Sequence, residues 1–282
     1  MSQVYRALEK AEKEKRGKLP EDPLSRIFEE EPIAPKEEKR LRPPKWGIEK
    51  IEVPSDDDSS VLIAPRHSFG EEQFGKLKTY IFRRSPQPPC SILITSSGLG
   101  EGKTTVAINL ALAISQEIQK KVILVDADLR KPSIYPEKYM NSKGLSDYLS
   151  GQSSTEEIIN NFESENFMII PAGTASQKPA ELIGSKKMKE LLKNLRKDCD
   201  DTFVLIDSSP VLSTAEPLLL SELVDGVILV VMAAQVPKAA VRRVVESIGR
   251  EKMIGVVFNQ KDMRPGKHYY DYYYRYSRKD TR

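Results

Sequence analysis

Six short apolar runs punctuate the middle of the chain: SILIT (91–95), VILVDAD (122–128), FMIIPA (167–172), FVLID (203–207), GVILVVMA (226–233) and GVVFN (255–259). Each is nearly continuous rather than alternating, and each has strand length, the pattern of strands buried on both faces. Stretches with helical spacing lie between them, among them 103–119 and 186–197. Strands that alternate with helices predict a mostly parallel sheet covered on both sides, a three-layer α/β domain over residues 69–263.

The flanks carry a different pattern. The opening MSQVYRALEKAEKEK can form a short helix, with Ser2 as cap and Val4, Leu8 and Ala11 on one narrow stripe. That helix is either a docking element for a partner or a frayed terminus. The rest of residues 1–68 is rich in proline and mixed charge, as in LPEDPLSRIFEEEPIAPKEEKRLRPPKWG and VPSDDDSS. Such segments bury too little apolar surface to offset the entropy of ordering, so they are predicted to be disordered linker. After Met263, RPG breaks any regular structure, and 264–282 is a flexible tail. Six of the chain's eleven tyrosines lie there: Tyr269, Tyr270, Tyr272, Tyr273, Tyr274 and Tyr276.

Composition narrows the class. With 282 residues, 39% apolar and 30% charged, the chain suits one α/β domain with tails. A net charge of +3 is too small to argue for nucleic acid. The two cysteines, Cys90 and Cys199, have no metal-ligand spacing, and two isolated thiols fit a reducing compartment. No apolar run approaches the roughly 18 residues that span a bilayer. The first residues lack the apolar core of a secretory signal. A cytoplasmic protein is expected. His67 and His268 read as solvated, and Trp46 as at most a docking contact.

The chemistry begins at SILITSSGLGEGKTTVAINLALAI. A strand runs into a glycine-rich turn and then an amphipathic helix. Gly98, Gly100 and Gly102 let backbone N–H groups converge on phosphate oxygens, and the helix start adds its positive end. Glu101 lies in the same loop, and the whole set from Gly98 to Thr105 is the candidate nucleotide site. Lys103 can reach the outer phosphates, the Thr104 hydroxyl can ligate Mg²⁺, and Thr105 can reach the α-phosphate. The spacing is imperfect: Ser97 stands where a phosphate loop normally has its first glycine.

Two strand ends are acidic. Asp126 and Asp128 follow one apolar run and Asp207 another. A spacing of two puts Asp126 and Asp128 on one side of an extended strand, an expensive arrangement unless a cation or Arg130 offsets it. Parallel strands bring their C-terminal ends to one edge, so the three aspartates and the phosphate loop should share a crevice. Oxygen ligands there suit Mg²⁺.

The stretches GLGEGKTT, VILVDADLRKPS, GLSDYLSG, PAGTASQKPAELIGSKKMKELL and FVLIDSSPV resemble the bacterial tyrosine kinases of capsule and exopolysaccharide loci, within the MinD/ParA-like branch of P-loop proteins. The similarity runs from Glu71 to Asn259, and the terminal tyrosine cluster fits it. The resemblance implies ATP and Mg²⁺, with Lys103 and Thr104 serving phosphate and metal. It implies that Asp126 orients and deprotonates an attacking tyrosine, that Asp128 and Asp207 support the metal, and that Asn259 contacts adenine. It implies the tail tyrosines as phosphoacceptors in an ATP-dependent protein-tyrosine autokinase that regulates capsule or exopolysaccharide synthesis and export. It further implies self-association for trans-phosphorylation, a possible cognate phosphatase, and anchorage at the inner membrane face through a membrane-embedded polysaccharide chain-length regulator. Three departures stand out. Leu99 replaces a proline, Ser208-Ser209-Pro210 replaces threonine-proline-proline, and the family's Glu-x-x-Arg-x-x-Arg ring motif reads Glu72, Gly75 and Lys78. Lysine cannot reproduce a bidentate guanidinium contact, which argues against a ring.

The tail's chemistry agrees. A tyrosine hydroxyl has a pKa near about 10 and needs a positioned carboxylate to become an acceptor. From Arg264 onward there are six Lys/Arg against two Asp, a net +4. Each phosphate adds about −1.5 to −2, so three would reverse that sign. Extended at roughly 3.3 Å per residue, the 17 residues from Gly266 can reach over about 50 Å. Two rivals remain: a MinD/ParA-like ATPase without kinase activity, and a nucleotide-binding adaptor of a polysaccharide assembly complex.

Overall fold

The computed structural model describes residues 63–64, 68–84, 87–131, 142–162, 164–197 and 200–260. The predicted N-terminal helix, most of the linker and all six tail tyrosines lie outside them. Seven strands form one sheet: β1 (Ser91–Ser96), β2 (Lys121–Asp126), β3 (Asn160–Phe162), β4 (Ser164–Ile170), β5 (Thr202–Asp207), β6 (Gly226–Met232) and β7 (Met253–Asn259), in the order β3-β4-β2-β5-β1-β6-β7. All pairings are parallel except β3 with β4. The six apolar runs are the six parallel strands. β3 was not foreseen, because three residues carry no periodic signal.

Among the described residues, eight α-helices cover the sheet. α1 (Phe69–Phe82) and α2 (Lys103–Ser115) lie on one face, while α3 (Leu145–Leu149), α4 (Thr155–Ile158), α5 (Pro179–Ile183), α6 (Lys186–Leu195), α7 (Glu216–Leu223) and α8 (Lys238–Ile248) lie on the other. The two cores follow the strand pleat. Ile92, Ile94, Val122, Leu124, Phe203, Leu205, Ile228 and Val230 pack beneath α1 and α2. The intervening Leu93, Ile123, Val125, Val204, Ile206, Val227 and Leu229 pack beneath the other layer. Both parities are apolar because both faces are covered.

α2 is buried on nearly every side, which its sequence VAINLALAI permits. Its one buried amide, Asn109, is satisfied twice: Nδ2 donates to the Thr105 carbonyl at 2.7 Å, and Oδ1 accepts from the Ala64 N–H at 2.7 Å. α6 shows the opposite pattern. Met188, Leu191, Leu192 and Leu195 form a buried stripe, and Ser185 caps it by accepting from the Met188 N–H at 3.3 Å.

Two expectations change here. β2 stops at Asp126, so Asp128 belongs to the following loop and strand alternation does not place it. Cys90 is disulfide-bonded, which corrects the expectation of two isolated thiols. It sits at the head of β1 beside the head of β5, where its carbonyl accepts from the Val204 N–H at 2.7 Å. Lys78, where the ring motif would have its second arginine, ion-pairs with Glu117 just beyond α2. No helix among the described residues is long and apolar enough to cross a membrane.

Candidate functional site

The strand order brings the candidate residues together. β5 lies between β1 and β2, so the phosphate loop, Asp207 and Asp126 leave three adjacent strands at one edge. Asp207 pairs in register with Ile94 of β1 on one side and with Asp126 of β2 on the other. Such an edge, where chain order reverses across the sheet, is where α/β proteins bind ligands.

The loop from Ser97 to Gly102 is built from inside. Glu101 turns its side chain into the protein and is only 3% exposed. Its Oε1 accepts from the Ser97 hydroxyl at 2.5 Å and from the Gly98 N–H, and its Oε2 accepts from the Met232 N–H at 3.3 Å. Glu101 therefore braces the loop against the end of β6. The same contacts account for Ser97 in place of glycine, since its hydroxyl is used. Gly102 is required by its φ of +86°, and a Cβ there would also displace the Asn259 side-chain amide, 2.0 Å away. Gly100 has φ +75° with open space where a side chain would stand, so backbone can approach a ligand there. Asn259, at the end of β7, donates from Nδ2 to the Glu101 carbonyl at 3.0 Å.

Lys103 is buried at the first position of α2. Next to it, the Thr104 hydroxyl donates to Asp207 Oδ2 at 2.6 Å. Thr105 is half-buried one residue on, and its carbonyl accepts from Asn109. A hydroxyl facing a carboxylate at a strand end is a donor set suited to Mg²⁺, which takes few protein oxygens and fills the rest with water and phosphate. No group of three or more His, Cys, Asp or Glu side chains gathers in metal-holding geometry among the described residues. Of the four candidate metal residues, Thr104 and Asp207 are joined side chain to side chain, by that hydrogen bond from the Thr104 hydroxyl. Asp126 and Asp128 do not join them in a cage.

Asp126 is fully buried, and its Oδ1 accepts from the Asp128 N–H at 3.1 Å. Asp128 caps its own turn, Oδ1 accepting from the Lys131 N–H at 3.1 Å. Burial pushes the Asp128 carboxyl above the ordinary aspartate value. The Lys131 N–H, the Lys103 charge and the Arg130 N–H pull it down, and the Glu216 charge pushes it further up.

Glu216 was not foreseen. It opens α7, is 2% exposed, and brings a fourth carboxylate to this edge. Burial alone would raise its pKa, but its own backbone N–H, Thr214 and Arg130 outweigh that and hold it below the usual value. Arg130 was expected to offset an aspartate of its own loop. Instead its Nε and Nη2 donate to Glu216 Oε1 at 3.0 and 2.9 Å. The start signature of α7, an acid followed by proline after Ser-Thr-Ala, was visible in the sequence, but its partner 86 positions away was not. The loop after Asp207 is tied back to β1: Thr95 Oγ1 donates to the Ser209 carbonyl at 2.9 Å, and Val211 N–H to Ser96 O at 2.9 Å.

Comparison with known proteins bears on this geometry. A family model described as an AAA domain matches residues 91–253. The tyrosine-protein kinase YwqD of Bacillus subtilis (strain 168) is 34% identical over 213 residues, covering 74% of this chain and 89% of that protein. The tyrosine-protein kinase CpsD of Streptococcus pneumoniae is 28% identical over 193 residues, covering 67% and 84%. Among solved structures, the VpsO kinase domain superposes with a TM-score of 0.60 at 32% identity, covering 67% of this chain and 95% of that domain. With its phosphate loop, its strand-end aspartates and these relatives, the chain belongs to the bacterial tyrosine-protein kinases, on the MinD/ParA-like P-loop fold.

Proposed function

We propose that the chain uses ATP and Mg²⁺ to phosphorylate tyrosines of its own tail, Tyr269 to Tyr276, in the control of capsule or exopolysaccharide synthesis. The observation that carries this reading is the shared edge of β1, β5 and β2, where Asp126 and Asp207 stand in register and the Thr104 hydroxyl, one residue past Lys103, donates to Asp207. A bound Mg²⁺ would offset charge on the phosphates. The chain's own residues do the rest. The phosphate loop, braced by Glu101, holds the triphosphate, and Lys103 faces the charge that develops as the bond to the γ-phosphorus loosens. Thr104 and Asp207 hold the cation. Asp126 orients the tyrosine hydroxyl and takes its proton as the new O–P bond forms and ADP departs. A carboxylate with an ordinary pKa of about 4 is a weak base, so its main task is orientation.

The reading extends to partners. The basic tail loses its positive sign after three phosphorylations. That reversal would switch assembly with a membrane-embedded chain-length regulator, and it would bring the protein to the inner membrane face. Trans-phosphorylation requires self-association. The Lys78–Glu117 pair uses within one chain the position that the ring motif gives to arginine, which favours a transient encounter over a ring.

Incubation of the full chain with Mg²⁺ and γ-labelled ATP, followed by mass spectrometry of the tail, tests this. Label on tail tyrosines is expected. Free phosphate without labelled protein would instead identify an ATPase. A tail with all six tyrosines changed to phenylalanine should take no label there, and its binding to membrane partners should no longer respond to ATP.

A further inference from the structure

We propose that Arg130 and Glu216 form a positioning strut for the transfer step, tying the loop after β2 to the start of α7 and so holding Asp126 in place beside Asp207. This rests on the kinase reading above and adds two residues that it does not use.

An exposed arginine–glutamate pair would carry little meaning. This one is asymmetric. The Glu216 side chain is 2% exposed and that of Arg130 is 53% exposed. A carboxylate taken out of water is usually less favourable than an apolar side chain of equal size, so its retention calls for a reason. Both contacting nitrogens of Arg130 converge on Oε1, while Oε2 is buried and accepts no hydrogen bond among the described residues. The fork of the guanidinium fixes the approach direction in a way that a point charge does not.

The strut stands at the junction of the two loops that carry the site. The loop after β2 is tied to β5 through the Ala127 N–H, which donates to the Asp207 carbonyl at 2.8 Å. It is also tied to a neighbouring loop through the Ser176 N–H, which donates to the Leu129 carbonyl at 3.3 Å. The connection from Asp207 to α7 is closed by the Ser209 and Thr214 hydroxyls, 2.6 Å apart. Glu216 is therefore the far end of the segment that begins at Asp207, and Arg130 lies two residues past Asp128. The buried Leu129 side chain anchors this loop in the core, and the Asp128 carboxylate caps the turn; the Arg130–Glu216 contact adds the tie from the loop to the start of α7. A displacement of about 1 Å at a catalytic carboxylate can cost about 100-fold in rate.

The experiment uses the full chain with Mg²⁺ and γ-labelled ATP, and compares wild type with Arg130→Gln, Glu216→Gln and the double variant. Hydrogen–deuterium exchange of the amides at 127–131 is measured in parallel. Arg130 is half-exposed, so its variant folds even if the buried Glu216 change disturbs the fold. Each single change is expected to lower kcat for labelling by about 10- to 100-fold, with KM for ATP within about twofold of wild type. The double variant should fall no further than the lower single, as expected of residues that act as a unit. Exchange at 127–131 should quicken while the melting temperature of Arg130→Gln stays close to wild type. Wild-type kcat in Arg130→Gln, losses that multiply in the double variant, or unchanged exchange at 127–131 would each overturn the strut. A wild-type chain that binds nucleotide but transfers no label would remove the kinase reading, and the exchange arm would still decide the strut.

Discussion

Lys103 begins α2 with its charge against the positive end of the helix dipole, an unfavourable placement by about 0.3–1 kcal/mol. Lys103→Met should therefore lower labelling by about 100- to 1,000-fold and leave the melting temperature equal or slightly higher, read by γ-labelled ATP and calorimetry. A variant that lost labelling only by unfolding would contradict this. Asp128 makes a similar prediction with pH. Its folded carboxyl is raised, chiefly by burial, so the folded state holds that proton more tightly than the unfolded chain. The stability this contributes is complete below the ordinary value near 3.8 and is lost as pH rises through the raised folded value. Asp128→Asn should be more stable than wild type at neutral pH in the presence of a chelator, and the gap should close as pH falls towards 3.8. Urea melts across that range measure it. Asp126 and Asp207 were legible as strand ends, because each sits where a buried apolar run ends, and Lys103 and Thr104 as the start of the helix that follows the glycine-rich turn. The direction in which Glu101 points was not, because a glutamate in a glycine-rich loop reads equally well as facing the ligand or the protein.

Among the elements, turns carry the measurable strain. Ala234, just after β6, has φ +63°, a left-handed conformation that disfavours a Cβ by roughly 1–2 kcal/mol. Glycine removes that strain but loses more entropy on folding, by about 0.5–1 kcal/mol. Ala234→Gly should then be net stabilising by about 0.5–1 kcal/mol, a rise of a few degrees at most in a melting scan. A fall would show that the turn is held by something other than φ. The end of α2 shows how an element departs from its sequence pattern. Helical spacing continues to 119, yet the helix stops at Ser115, and Gln119 adopts φ +63° to turn the chain into β2. The strand must start there to pair with β5, and the pairing overrides local preference.

At the scale of the molecule, the tail and the crevice belong to one chemistry only if one can reach the other. A Lys103→Met chain with its six tyrosines intact cannot label itself. Mixed with an active chain whose tail tyrosines are phenylalanine, it should acquire label on its own tail, separable by size. No label in the mixture, with normal labelling of wild type alone, would restrict the reaction to one chain.

The chain by itself determined the layered α/β plan, since continuous apolar runs at strand length leave no other way to bury both faces. It determined the phosphate loop too, because glycine spacing and a following helix are local properties. Only the tertiary structure placed β5 between β1 and β2, set Asp207 beside Asp126, turned Glu101 inward, joined Cys90 in a disulfide, and matched Arg130 with Glu216. The reason is the same each time: these contacts link positions far apart in the chain, and their energies exist only once the sheet order has brought the strand ends to one edge.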